Sequence, residues 1–198
     1  MNIRVLPVLL LLPLTACQTG LGGTPRIVEL YDAADPAGVL EIEMHRSGAI
    51  REIEAEIPIS DLPDAVIQAA QKAAPGGEIT GGEREITETG SGWEVQVRND
   101  GADWEFVIDD EGNVLETEEP IGPGDGPAAL VDNAAREVPN GGSLKSIERI
   151  TFHGEVDTLE YHVKFEHNGA SYKVVLDEQA NVKRAVREQR AEIEIPLR

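Results

Sequence analysis

Trp93-Glu94-Val95-Gln96-Val97-Arg98-Asn99-Asp100-Gly101-Ala102-Asp103-Trp104-Glu105-Phe106-Val107-Ile108 is the stretch on which the fold turns. Trp93, Val95 and Val97 alternate with Glu94, Gln96 and Arg98, and Trp104, Phe106 and Ile108 alternate with Glu105 and Val107. Side chains of a strand point to opposite faces in turn, so this alternation predicts two strands with one apolar and one polar face. Asn99-Asp100-Gly101 between them is tight-turn chemistry. The stretch therefore reads as an antiparallel hairpin whose bulky side is covered and whose charged side meets water.

The hairpin recurs. Residues 161–183 align without a gap on 93–115 at an offset of 68, with seven of 23 positions identical. Tyr161, Val163 and Phe165 alternate with His162, Lys164 and Glu166, and Tyr172, Val174 and Leu176 alternate with Lys173, Val175 and Asp177. His167-Asn168-Gly169 repeats the turn. The form E-x-E-x-P-[IL] occurs at 54–59, 116–121 and 192–197, where each copy would close a unit. Self-similarity over a whole supersecondary unit points to tandem copies.

Upstream of each hairpin the period changes. Ser60 or Asp61 reads as a helix N-cap, Pro63 suits the first turn, and Leu62, Val66, Ala69, Ala70 and Ala73 follow helical spacing until Pro75-Gly76-Gly77. Pro127, then Leu130, Ala134 and Val138, then Pro139-Asn140-Gly141-Gly142 repeat that pattern. Roughly four strands follow each helix, the first near Arg84–Glu88 and Ile147–Phe152. Leu40, Ile42 and Met44 form the inward set of a shorter leading hairpin, and the acids Glu41, Glu43, Glu52, Glu54 and Glu56 are expected outward, as a solvated face. The expected fold class is α+β: tandem helix-plus-four-strand units forming one antiparallel sheet with helices packed on one face. The expected organisation is a signal peptide at 1–16, a tether at 17–26, a partial leading unit at 27–59, and full units at 60–121 and 122–198.

The beginning of the chain is an address. One arginine precedes the apolar run Val5–Leu14, which is too short for a permanent span and is broken by Pro7 and Pro13. Leu14-Thr15-Ala16-Cys17 follows and resembles the lipobox of bacterial lipoproteins. That resemblance implies cleavage before Cys17, lipidation of Cys17 and anchoring through several acyl chains. Gln18 after the cysteine points to outer-membrane sorting, with the body facing the periplasm.

Composition excludes much. The 198 residues carry 17 Lys+Arg against 37 Asp+Glu, a net charge of −20, which argues against nucleic-acid partners. One cysteine excludes an internal disulfide framework. His45, His153, His162 and His167 form no helical metal pair, and no phosphate loop or nucleophile motif occurs, so no catalytic residue, metal site or cofactor is expected. Asp109-Asp110-Glu111-Gly112-Asn113 fails as a calcium-binding EF-hand loop, because Val114 and Pro120 stand where Gly and Glu are needed.

The order helix, Pro-Gly-Gly, Trp-Glu-Val, glycine turn, aromatic strand and Asp-x-x-Gly-Asn-Val resembles the PepSY-like domain family, a fold relative of the β-lactamase inhibitor protein. The resemblance covers about residues 38–198. It implies no cofactor and a non-catalytic, envelope-anchored protein-binding role, with inhibition of a peptidase or other enzyme as one form of it. The surface expected to meet the partner is the polar sheet face with its hairpin tips: Glu94, Gln96, Arg98, Asp100, Glu105, His162, Lys164, Glu166 and Lys173. These residues include no aromatics, so contact is expected to be steered by charge. The alternative reading is a structural or weakly calcium-binding acidic envelope lipoprotein.

Overall fold

A computed structural model describes residues 38–189. Ten strands form one sheet in strict chain order, every neighbouring pair antiparallel. They are β1 (Leu40–Met44), β2 (Ile50–Glu56), β3 (Glu78–Thr87), β4 (Ser91–Asn99), β5 (Ala102–Ile108), β6 (Val114–Pro120), β7 (Ser143–Phe152), β8 (Thr158–His167), β9 (Ala170–Asp177) and β10 (Val182–Arg187). Helix α1 (Asp64–Ala73) joins β2 to β3, and helix α2 (Leu130–Ala135) joins β6 to β7. The protein is thus mostly β, with less helix than the α+β expectation. The Cys17 segment, the tether and the last E-x-E-x-P motif lie outside the described residues.

Alternation sets the two faces. Val95 pairs with Phe106, Phe106 with Thr117, Thr117 with Thr151 and Thr151 with Leu159, so the bulky residues of β4, β5 and β8 share one face. Both helices cover that face. Val66 and Ala70 of α1 pack on Val95, Val97, Phe106 and Ile108. Leu130 and Ala134 of α2 pack on Tyr161, Val163, Val174 and Leu176. Burial of apolar area at these contacts is what holds helices this short in place. Asn133 Nδ2 also donates to the Ala180 carbonyl at 2.8 Å, tying α2 to the β9–β10 turn.

Several local expectations need correction. Neither Ser60 nor Asp61 caps α1; Pro63 stands at the N-cap, and Ser60 donates to Asp61 instead. Ala74, not Ala73, is the buried residue at the end of α1, because the chain leaves helical geometry there. The first strands of the two four-strand sets begin at Glu78 and Ser143, well before the expected starts. Both carry a bulge, between Ile79 and Gly81 and between Leu144 and Ser146, which interrupts the alternation that marks a strand. Gly81 and Gly82 look like a loop in sequence, but they are strand residues under close cover: a Cβ on Gly82 would stand 3.0 Å from Leu62. Met44 lies beyond a register shift in β1 and is exposed rather than inward.

The sheet is curled, not flat. Strands stack at about 4.8 Å, so β1 and β9 would stand about 38 Å apart in a flat sheet. Yet Glu43 Oε2 of β1 lies 3.6 Å from Lys173 Nζ of β9, and Glu43 Oε1 lies 3.3 Å from Arg184 Nε of β10. Side chains of this length meet only if the sheet bends round on its polar face. The helices consequently sit on the convex side, and the face expected to be open to water is the concave interior.

Candidate functional site

The concave face is built from the polar residue of each alternating pair. Glu43 pairs with Glu52, Glu54 with Glu85, Glu83 with Glu94, Glu94 with Val107, Glu105 with Glu118, Glu148 with His162 and Lys164 with Lys173. Val107, Ile150 and Val175 form an apolar floor among these charges and belong to neither helix-side core. Two hollows open into the face. One, of about 580 Å³, is bordered by Glu54, Glu85, Glu116, His162, Lys173 and Arg184 among others. The other, of about 500 Å³, is bordered by Asp103, Glu105, Ser146 and Glu148, and Glu118 borders both.

The residues expected to form a partner surface fall into three groups. Glu94 and His162 are only 8 % and 7 % exposed. Gln96, Glu105, Lys164 and Lys173 are half-buried along the concave wall. Arg98, Asp100 and Glu166 are exposed at one end of the sheet. The expectation of a wet, freely presented face is therefore corrected for the first two groups: curling takes solvent from residues whose alternation alone places them outside. The acids of the leading hairpin follow the same rule: Glu43, Glu52, Glu54 and Glu56 are half-buried and Glu41 is exposed.

Charge is divided between the two sides of the curl. Positions 68 residues apart carry Glu94 and His162, Gln96 and Lys164, Glu105 and Lys173, and Glu116 and Arg184. The Glu or Gln member lies on β4–β6 and the His, Lys or Arg member on β8–β10. Lys164 Nζ lies 3.1 Å from Glu148 Oε2, and Lys183 pairs with Glu160. Gln96 Nε2 donates to Glu83 Oε1 at 3.0 Å.

The titration of these groups reflects their crowding. Burial first, and then the charges of Glu52, Glu83 and Glu41, push Glu54 up to about 8 against the pull of Lys173. Burial followed by neighbouring carboxylates does the same to Glu116 and Glu118, each about 8. Burial and Glu52 raise Glu85 to about 8, and burial with Glu41 and Glu56 raises Glu83 to about 7. Glu94 is pushed well up by burial and by Glu105. Burial and then the charges of Lys173, Arg184 and Lys164 hold His162 well below its ordinary value, so its imidazole is neutral. Burial alone would lower Lys164, but Glu148, Glu105 and Glu118 together outweigh it and keep the ammonium charged.

The rest of the expected vocabulary is structural. Asp109 Oδ1 accepts from the Glu111 and Asn113 amides at 3.0 and 2.8 Å, so this acidic loop spends its carboxylate on its own turn. Asp100 and Asn168 take positive φ in the two hairpin turns, each followed by a glycine. Sequence reading missed Glu43, Glu118 and Glu148 as members of the concave site. The signal available was register: strand parity places them on the same face as Glu105 and His162.

Residues 63–111 match the family model described as "Peptidase propeptide and YPEB domain", PepSY. They span Pro63, α1 and β3–β5 and end in the β5–β6 turn. No curated protein matches the chain. Among solved structures, a candidate periplasmic protein from Bacteroides eggerthii is similar with a TM-score of 0.51 and 15 % identity, over 63 % of this chain and 88 % of that one. A DUF2874 family protein from Bacteroides uniformis is similar with a TM-score of 0.48 and 15 % identity, over 64 % of this chain and 89 % of that one. A BLIP-like protein from Bacteroides fragilis is similar with a TM-score of 0.47 and 19 % identity, over 68 % of this chain and 93 % of that one. The described fold carries a PepSY-like unit at residues 63–111, in an architecture shared with the Bacteroides eggerthii protein.

Proposed function

We propose that the chain is an exported, lipid-anchored, non-catalytic protein-binding module of the bacterial cell envelope, composed of tandem PepSY-like units. The observation that carries this reading is the PepSY match over 63–111, since the name of that family refers to peptidase propeptides, segments that accompany a peptidase. Leu14-Thr15-Ala16-Cys17 supports the anchor, and a candidate periplasmic relative in fold agrees with that location. A peptidase is the partner class this reading favours.

The contact surface is the end of the sheet formed by the β4–β5 and β8–β9 turns. Strands β4 and β8 run in the same direction, so their turns lie at one end. Arg98, Asp100, Asp103 and Glu166 are exposed there. The concave wall itself is too occupied by its own ion pairs to serve as a flat docking face. Exposed charges of this kind set encounter rate and selectivity more than affinity.

The test is retention of an envelope peptidase on the immobilised chain, compared with an Arg98→Glu, Asp100→Lys, Glu166→Lys variant. Retention that is lost in the variant supports the reading. No retained peptidase, or equal retention by both chains, refutes it. For the anchor, Cys17→Ala should move the protein from the membrane to the soluble fraction.

A further inference from the structure

We propose that Glu118, Glu148 and His162 form a binding site for a divalent metal ion of the zinc class on the concave face. One ligand atom from each of the three lies within 4.8 Å of the other two. They stand on the adjacent strands β6, β7 and β8, with Glu148 and His162 directly paired across the ladder. A sheet holds such a triad more firmly than a loop does. Tetrahedral zinc with ligand bonds of about 2.0–2.2 Å needs its donors about 3.3 Å apart, a closure that rotamer adjustment of two glutamates supplies.

One observation besides the clustering of acids points to a ligand. His162 is 7 % exposed, and its ring nitrogens make no hydrogen bond among the described residues. Those nitrogens are not sealed off; they reach the hollow that His162 borders, while the rest of the ring is buried. Glu148 Oε2 is buried, and the one group against it is the Lys164 ammonium, 3.1 Å away, among the described residues. Glu148 Oε1 accepts from Ser146 Oγ at 3.0 Å, which orients the carboxylate.

The donor set selects the metal. One imidazole and two carboxylates suit zinc and its neighbours, whereas calcium takes about six to eight oxygens and no imidazole. Lys164 opposes binding, because a metal on Glu148 must take over the place its ammonium holds.

Zinc added to the purified full chain in a non-chelating buffer near neutral pH, followed by calorimetry, tests this. One site is expected, with affinity lowered about tenfold or more by His162→Asn and by Glu148→Gln. Affinity should be raised by Lys164→Met and left unchanged by His153→Asn, since His153 lies apart, on Thr117 and Asp157. Calcium should give no comparable heat. Zinc-edge X-ray absorption on the unaltered protein should show one imidazole among oxygen donors, a readout that survives any folding defect of the variants. Absence of zinc binding, undiminished binding by His162→Asn, loss of binding in His153→Asn, or a spectrum without imidazole would each overturn the proposal.

Discussion

Glu43 on β1 and Lys173 on β9 stand 3.6 Å apart although 130 residues separate them in the chain, and their contact marks the closure of the curl. The same carboxylate faces Arg184 Nε and Arg51 Nε, each at 3.3 Å. Glu43→Gln leaves three cations without their shared counter-charge. The expected loss is about 1–3 kcal/mol, read from urea unfolding. By contrast, the exposed Arg98–Asp103 pair at 2.7 Å should be dispensable, and Arg98→Ala should leave the unfolding midpoint unchanged. Equal effects of the two substitutions would mean that the curl does not depend on this contact.

Stability should fall as pH rises from about 5 to 8. Glu54, Glu85, Glu116 and Glu118 are raised from 4.5 to about 8, and Glu83 to about 7. In that window the folded chain binds more protons than the unfolded one, so removing protons favours unfolding. The stabilisation is complete below 4.5 and is lost as pH passes the folded values. His162 acts in the opposite sense: its lowered value favours the folded state above 6.5 and disfavours it below. One imidazole is outnumbered by five carboxyls. Melting temperatures across this range that rise with pH would show that the acids are not buried as described.

The convex core should behave as a conventional apolar one. Leu130 is 1 % exposed and anchors α2 to β8 and β9. Leu130→Ala should cost about 2–5 kcal/mol by loss of transfer energy and by cavity formation. Because α2 has only six residues, hydrogen exchange should show the helix amides losing protection before those of β8. Uniform loss of protection would indicate that helix and sheet unfold as one unit.

Gly112 in the β5–β6 turn has φ +85°, and a Cβ there would stand 3.1 Å from the Ala65 carbonyl oxygen. Gly112→Ala therefore combines a left-handed backbone with a tight contact and should cost about 1–2 kcal/mol in thermal unfolding. Gly101, at φ +83° with open space around it, should show the backbone penalty alone and a smaller loss.

Much of the fold was legible because it rests on short-range pattern. Trp93-Glu94-Val95-Gln96-Val97 announces its strand, Asn99-Asp100-Gly101 its turn, and Leu130 and Ala134 the face of their helix, whereas Val138, expected on the same stripe, is buried from extended chain beyond the helix end. The strand starts at Glu78 and Ser143 were not legible, because bulges and the Gly81-Gly82 pair erase the alternation. Of the candidate site, the sequence showed which residues share a face but not that the face closes. Glu94 and His162 are buried by strands far from them in the chain, and no local pattern records that.

The order of residues by itself determined two-faced strands, their turns and the side on which the helices lie, since each depends on side chains within a few positions of one another. Whether the charged side would be a shore or an interior was decided only in three dimensions, by a sheet long enough to curl until Glu43 met Lys173 and Arg184. Curvature accumulates from the twist of every strand pair and from the bulges, so it is a property of the whole sheet, and with it came the burial, the shifted acids and the meeting of Glu118, Glu148 and His162.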